Sequence, residues 1–585
     1  MSSGSANPSG SALLKQDPSS SASSSSSSNQ SRLRSHEHVV GNSALFSGLV
    51  VYAILAVIAG VVWNIVDPRQ KRYGPQTMFA IAAVLLLCKV VWVALVKLVL
   101  TNTRGSRHGP SYDPVKRQWA FSNFAHNQVF HPSAVFEPAD LDELLRIVQD
   151  EARHGKRVRA VGSLHSWSGC AVTNDGVVRM DRLNHVLHYD LVKKRVTAQC
   201  GIKLSDLYTQ MDEKGLALPT LPNVDSIQLG GAVANATHGT NITVGTFSSQ
   251  VTDLQIVLFR DSSNGLQASG RAELVTLSRD DANTLNWFEA AIASFGCLGI
   301  IYSITLQCVD SYVSYVSEKV LQHAEVEGHV AEIAKRYPAC QMTVFPSNAT
   351  VLTKIQVPMS DRLVPTDATS ITSDRDLLEA RFIFFANQPN AKTFKFLRRL
   401  VGAFVHWAFS SSVVFRAWSV RRRAAVMHWT HAEIMNRVTA ALSIVPWINL
   451  EYAIPIENAD GAYRQLVQLL RRYPTVSVFA MRPVGSDDYG HLSPTQGRQT
   501  VFFDVPYNGT LEHTGVYGEV EKLLLSHGGR CSWSRLFKAP PSEVVRQYPR
   551  FSRFKAAKQQ MDPFNVFGNA FSDAILDQSP QTPNI

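Results

Sequence analysis

Arg157-Val158-Arg159-Ala160-Val161-Gly162-Ser163-Leu164-His165-Ser166 is the stretch on which the fold turns. Its first five residues read as a short buried strand. The Gly-Ser that follows marks a tight turn whose main-chain N–H groups can converge on an anion such as phosphate. Further along comes a second run of small residues, Gly230-Gly231-Ala232-Val233-Ala234-Asn235-Ala236-Thr237-His238-Gly239-Thr240. Side chains this small let a large flat ligand lie against main chain, while Asn, Thr and His supply directed polar groups. Neither run is a G-x-G-x-x-G or G-K-[ST] phosphate pattern. Taken singly, each is also what a turn with positive φ would require.

Outward from the first run, Ala134-Val135-Phe136 reads as a strand ending at Pro138, and Asp140 to His154 carries helical spacing through Leu141, Leu144, Leu145, Ile147 and Val148. Short alternating runs follow at Val177 to Met180, Val186 to Asp190 and Arg195 to Cys200, then a helix from about Lys203 to Lys214. Val251 to Phe259 and Ile300 to Gln307 read as buried strands. The pattern is α+β, with a mixed-strand nucleotide domain expected over 130–310. A second α+β region, 311–520, includes strands such as Gln341 to Phe345 and Val501 to Val505.

Residues 1–43 are mostly serine and too poor in apolar side chains to repay ordering, which predicts a disordered tail. The first apolar run begins only at Ala44, which excludes an ordinary secretory signal. Ala44 to Val66 and Met78 to Leu100 are each long enough to span a bilayer as a helix. Lys89, midway along the second, costs about 2.5 to 3.5 kcal/mol on insertion scales, against roughly 4 to 8 from the Leu, Ile, Val and Phe around it. The expectation is therefore a transmembrane helical hairpin over 44–100, followed by a linker over 101–129. Arg69, Lys71 and Arg72 in the short link are outnumbered by Arg32, Arg34, Arg104, Arg107, Lys116 and Arg117 outside it. The positive-inside rule then puts the large domain in the cytosol, on the endoplasmic reticulum or another intracellular membrane.

The formal charge of +10 raises nucleic acid as a partner, but no nucleic-acid motif accompanies it. Much of the basic excess lies beside apolar segments, where membrane lipid is the simpler partner. Phe394 to Trp429 interleaves Phe404, Trp407, Phe409, Phe415, Trp418 and Trp429 with Arg398, Arg399, Arg416, Arg421, Arg422 and Arg423. Such interleaving can read single-stranded nucleic acid, but beside the expected hairpin an interfacial membrane contact is the better reading, with core packing the alternative. Seven cysteines without C-x-x-C pairs argue against a disulfide framework and a zinc site, and fit a reducing compartment; no metal is expected.

In this order and spacing the two small-residue runs resemble the FAD-binding fold of the vanillyl-alcohol-oxidase (PCMH) type, and within it the aldonolactone oxidases and dehydrogenases. The similarity runs from about Phe121 to Phe571. It takes in Val161 to Ser166, Val196 to Ile202, Lys214 to Leu218, Gly230-Gly231, Thr237-His238, Gly296 to Ile301, Ala453-Ile454-Pro455 and Gly528-Gly529-Arg530. The resemblance implies a two-part FAD-binding domain over 130–310, a substrate cap domain over 311–520, a segment over 521–571 completing the flavin site, and a tail over 572–585. It assigns FAD binding to Val161, Gly162, Ser163, Leu164, His165, Ser166, Pro222, Gly230, Gly231, Asn235, Thr237, His238, Gly239, Gly299, Ile301 and Arg535. His165 stands where the family ties the flavin covalently at its 8α-methyl carbon.

The implied reaction removes hydride from a hydroxyl-bearing carbon of a sugar lactone, with O2 or an electron carrier as the final acceptor. In the family, Gly-Gly-Arg-Pro-His-Trp-x-Lys supplies charge near the flavin. Here it reads Gly528-Gly529-Arg530-Cys531-Ser532-Trp533-Ser534-Arg535. Arg535 keeps the positive charge but cannot give up a proton at working pH, and Ser532 hydrogen-bonds without titrating usefully. His527 would compensate only if the backbone there were rearranged. Glu451 and Arg482 are the remaining catalytic candidates, for sugar hydroxyls and the lactone carbonyl or equally for a structural salt bridge. Pro222 aligns with a position that governs O2 access, and proline there implies an oxidase. Three readings remain: a membrane-anchored sugar-lactone oxidoreductase, a flavoenzyme for another alcohol or a lipid-borne sugar, and a catalytically weak membrane flavoprotein.

Overall fold

The computed structural model describes residues 109–577 except 223, 262–269, 347–349, 360–426, 431–447, 474–477 and 507–514. The expected tail at 1–43 and hairpin at 44–100 lie outside the described residues. So does the stretch from Phe394, apart from Met427 to Trp429, which fall in the strand Met427–Thr430. Among the described residues no helix is long and apolar enough to cross a membrane.

The expected linker departs from its reading. Gly109–Asp113, Gln118–Ser122 and Val129–Phe130 form a three-stranded antiparallel sheet. Alternation places Phe121 inward, where it stacks on Phe130 at 5.3 Å.

Beside it lies a parallel sheet with Gly176–Arg179 between Ala134–Phe136 and Val158–Val161. The connecting helix Leu141–Arg153 starts where the Asp140 side chain accepts from the Glu143 N–H at 2.8 Å. Its Leu144 and Val148 are buried with Val158, Val178, Val257 and Ile300, which packs the parallel sheet and a five-stranded antiparallel sheet around one core. That second sheet runs Gly270–Ser278, Val251–Asp261, Ile300–Gln307, Arg195–Gln199, Val186–Asp190.

An eight-stranded antiparallel sheet forms the other half, in the order Met427–Thr430, Val313–Gln322, Thr350–Met359, Ala339–Phe345, Phe479–Val484, Thr500–Pro506, Asn449–Pro455, Arg530–Cys531. Its register puts Thr343 opposite Ala480, Ala480 opposite Asp504, and Asp504 opposite Glu451. Directly opposed residues share a face, so one row carries two carboxylates.

After its edge strand the chain returns to the first half. Lys558 Nζ donates to Cys297 O at 2.9 Å, Arg157 pairs with Asp573 at 2.6 Å, and Asn569 Nδ2 donates to Gly169 O and Val172 O. The C-terminal segment therefore clamps both halves.

Candidate functional site

The strand Val158–Val161 delivers the chain into a loop whose backbone is shaped for an anion. Leu164 has φ +56°, in the left-handed region. Phe124 N–H donates to Leu164 O at 2.8 Å, and Asn123 Nδ2 donates to Ser166 O at 2.8 Å. These bonds fix the loop through its carbonyls. The N–H groups of Ser163, Leu164 and Ser166 donate to no acceptor among the described residues. A curled loop with carbonyls tied back and N–H groups unspent is an anion-binding nest.

The loop opens into a cavity of about 360 Å³. Val161 to Ser166, Pro222, Gly230, Gly231, Asn235, Thr237, His238, Gly299, Ile301 and Arg535 all line it, so two runs far apart in sequence meet at one wall. A Cβ on Gly162 would stand 2.8 Å from Gln228 Oε1, and one on Gly230 2.9 Å from Cys200 Cβ. The His165 ring stacks on Phe124 at 4.6 Å, with Nε2 3.3 Å from Ser226 Oγ. Gly239 does not line the cavity. A Cβ there would stand 2.2 Å from Leu221 O, so the residue lets two loops pass closely and touches no ligand space.

At the far wall Arg482 and Arg535 face inward from different elements. Beneath them Glu451 is fully buried. Its Oε2 accepts from Arg535 Nε at 2.9 Å, its Oε1 accepts from Arg482 Nη2, and His238 Nε2 lies 3.1 Å from that same Oε1. Burial alone would raise the Glu451 pKa, but Arg535, His238 and Arg482 reverse this and hold it well below the usual carboxylate range. His238 stacks on Phe502 at 3.6 Å, its Nδ1 2.9 Å from Gly239 O. Burial lowers its pKa, with Glu451 acting against that. The Arg535 guanidinium lies 4.3 Å from the centre of the Trp167 ring.

Glu451 is therefore not a group facing substrate: it lies behind the arginines and orients them. Ser532 is also out of place for contact. It is buried outside the cavity wall, and its N–H donates to Glu451 O at 3.0 Å. His527 does not line the cavity either, and its carbonyl accepts from Asn458 Nδ2 at 3.1 Å. The Gly528-Gly529-Arg530 turn has a packing role. Gly528 has φ +76°, a Cβ on Gly529 would stand 2.5 Å from Leu524 O, and Arg530 donates to Gln547 O and Gln496 O.

Asp504, Gln341, Thr343 and Phe124 line the cavity without having been singled out. Asp504 left a signal: a lone charge inside Val501 to Val505, otherwise a buried apolar strand. Its Oδ2 accepts from Arg482 Nη2 at 3.0 Å, and its Oδ1 accepts from Asn449 Nδ2.

The residues present fit a dinucleotide with a flat ring system. Three unspent N–H groups offer a diphosphate site. Asn235 Oδ1 and Arg482 Nε, both in residues of the wall, are buried without a hydrogen-bond partner. Among the described residues no cluster of His, Cys, Asp or Glu is arranged to hold a metal ion.

Two family profiles match the chain. An FAD binding domain profile matches residues 132–263, and a D-arabinono-1,4-lactone oxidase profile matches residues 304–575. The L-gulono-1,4-lactone dehydrogenase of Mycobacterium tuberculosis is 27% identical over 458 residues, which cover 78% of this chain and 99% of that protein. The L-gulonolactone oxidase of Bos taurus is 26% identical over 466 residues, covering 78% and 98%. Among solved structures, cholesterol oxidase from Brevibacterium sterolicum superposes with a TM-score of 0.62 at 15% identity, over 78% of this chain and 97% of that one. That likeness bears on the fold alone.

Proposed function

The chain belongs to the aldonolactone oxidase family of FAD-dependent oxidoreductases acting on CH–OH groups, and on that premise we propose that it oxidises a sugar 1,4-lactone of the gulono, galactono or arabinono type to an ascorbate-like enediol. The carrying observation is that one cavity joins the N–H nest at Ser163 to Ser166 with the inward-facing Arg482 and Arg535. Bound FAD supplies the hydride acceptor. The loop 162–166 holds its diphosphate, and Gly230, Gly231 and Asn235 receive its flat portion. Arg482 and Arg535 orient the lactone carbonyl and stabilise negative charge as it develops, with Glu451 and His238 fixing the arginines.

Three finer readings accompany this. His165, in the cavity wall and steadied by Phe124, carries the flavin covalently. Pro222, also in the wall, keeps a path open for O2, making the protein an oxidase. Residues 44–100 anchor it in an intracellular membrane with the catalytic part in the cytosol, a reading supported by the two apolar runs and their flanking charges. In sealed microsomes, added protease should digest the catalytic part and spare only the anchor; a protected full domain would reverse the orientation.

Arg535 in the cavity wall where relatives carry Lys, with Ser532 standing outside the wall where they carry His, supports a second reading, in which the pocket takes another alcohol or a lipid-borne sugar. A panel of the three lactones, alditols and a lipid-linked sugar, read anaerobically as flavin bleaching at about 450 nm, decides between them. Bleaching by a lactone at the lowest concentration supports the first reading, and indifference to all lactones overturns it.

A further inference from the structure

We propose that Asp504 is the catalytic base of this protein, accepting a hydrogen bond from the substrate hydroxyl and taking its proton. The proposal deepens the proposed function and rests on it. With FAD bound to supply the hydride acceptor, Asp504 would take the hydroxyl proton on a carboxylate oxygen as the substrate's C–H electron pair is lost and its C–O bond becomes a carbonyl. Asp504 then releases the proton to solvent.

Geometry leads there once His165, which also lines the cavity, is given to the proposed flavin tie. A base must touch the cavity and have an acceptor atom to spare. Arg482 and Arg535 touch it but do not deprotonate at working pH. Glu451 and Ser532 do not line it. His238 lines it, yet both ring nitrogens are engaged, one by Gly239 O and the other by Glu451 Oε1. Asp504 lines the cavity, and on the neighbouring strand it stands opposite the small side chain of Ala480. The carboxylate accepts one bond from Asn449 and one from Arg482, whereas an ionised carboxylate offers about four acceptor positions.

The charges around Asp504 suit the task. Glu451 flanks it from the strand Asn449–Pro455, Arg482 from Phe479–Val484, and Arg535 from the C-terminal segment. Burial and the Glu451 charge push the Asp504 carboxyl up to about 7, against the pull of the two arginines. A base poised near neutrality transfers protons in both directions at working pH.

The test uses the full-length flavoprotein and two variants, Asp504→Asn and Asp504→Glu. In anaerobic stopped flow with the lactone the panel selects, wild-type flavin reduction should fall as pH drops through about 7. Asp504→Asn should be roughly 100-fold or more slower and lack that limb. Asp504→Glu should recover at least about tenfold of the loss and restore it. Equal rates and equal limbs in Asp504→Asn and wild type would overturn the proposal, as would Asp504→Glu behaving like Asp504→Asn while both melt early, since that marks a structural role. Infrared difference spectra between acid and alkaline pH need no substrate: a carboxyl C=O band present in wild type and lost in Asp504→Asn supports the proposal, and no such band refutes it. If no lactone bleaches wild type while the band is present, the substrate reading fails and the titrating Asp504 stands.

Discussion

Arg535 Nε donates to Glu451 Oε2 at 2.9 Å, which joins the C-terminal segment to the strand Asn449–Pro455 through a carboxylate with no solvent exposure. Glu451 also binds Arg482, so one buried anion holds two cations that arrive from different parts of the chain. Their attraction offsets desolvation only while every partner is present.

Glu451→Gln therefore has two expected effects. Removing one member of a buried ionic cluster destabilises by about 3–5 kcal/mol, read as a lower urea midpoint at pH 7. A carboxyl with a folded pKa below its unfolded value of about 4.3 stabilises the fold above that value and stops doing so as pH falls through the folded one. Wild type should then lose stability on acidification below the unfolded value, and Glu451→Gln should lose less. The variant also removes the anion beside Asp504, so the acid limb of flavin reduction should move to lower pH. An unmoved limb would mean that the two carboxylates do not sense each other.

Gly239→Ala tests a residue whose role changed between sequence and structure. Its new Cβ would stand 2.2 Å from Leu221 O, displacing the loop that carries Pro222. The expected destabilisation is about 1–3 kcal/mol. Retained FAD should fall with it, measured by flavin absorbance after gel filtration. Unchanged stability would show that the two loops separate easily.

Much of this was legible in the sequence because glycine runs report main-chain geometry locally. Gly230 sits where a Cβ would crowd Cys200, and Gly162 and Gly230 both line the cavity as read. The strands Val158–Val161 and Ile300–Gln307 followed equally from local apolar pattern. What sequence could not give was depth. Glu451 and Asp504 are both acids in apolar strands; which one reaches the cavity depends on the register of three strands and on Arg535, which comes from a remote segment. Ser532 misled for the same reason: the motif fixed its neighbours, while pairing of Arg530–Cys531 with Asn449–Pro455 turned it away from the cavity. The strands inside the expected linker were missed because each is five residues or shorter, and Gln118–Ser122 is fixed by pairing with the mostly polar Gly109–Asp113.

His165→Ala tests the covalent tie. Wild-type protein denatured in acid should keep a fluorescent band on a gel under ultraviolet light, and the variant band should be dark. The variant should still fold and bind FAD, because the N–H groups of Ser163, Leu164 and Ser166 belong to the backbone. Fluorescence that washes from the wild-type band would sink the covalent reading and leave the nest intact.

Pro222→Ala separates the two half-reactions. Pro222 lines the cavity on the loop that passes close to Gly239. Proline fixes its own φ and has no flexible side chain, so on the proposed oxidase reading it would hold the loop clear of the path by which O2 reaches bound flavin. Alanine frees the backbone and lets the loop close on that path. The expected result is slower reoxidation by O2, by roughly tenfold or more, equivalent to about 1.4 kcal/mol or more of barrier, with flavin reduction by substrate unchanged. Stopped-flow mixing of the reduced protein with O2 reads the first rate, and anaerobic mixing with substrate reads the second. Equal loss in both would make Pro222 a support of the fold. Wild-type reoxidation no faster than that of free reduced flavin, with rapid reduction of cytochrome c or a quinone, would make the protein a dehydrogenase.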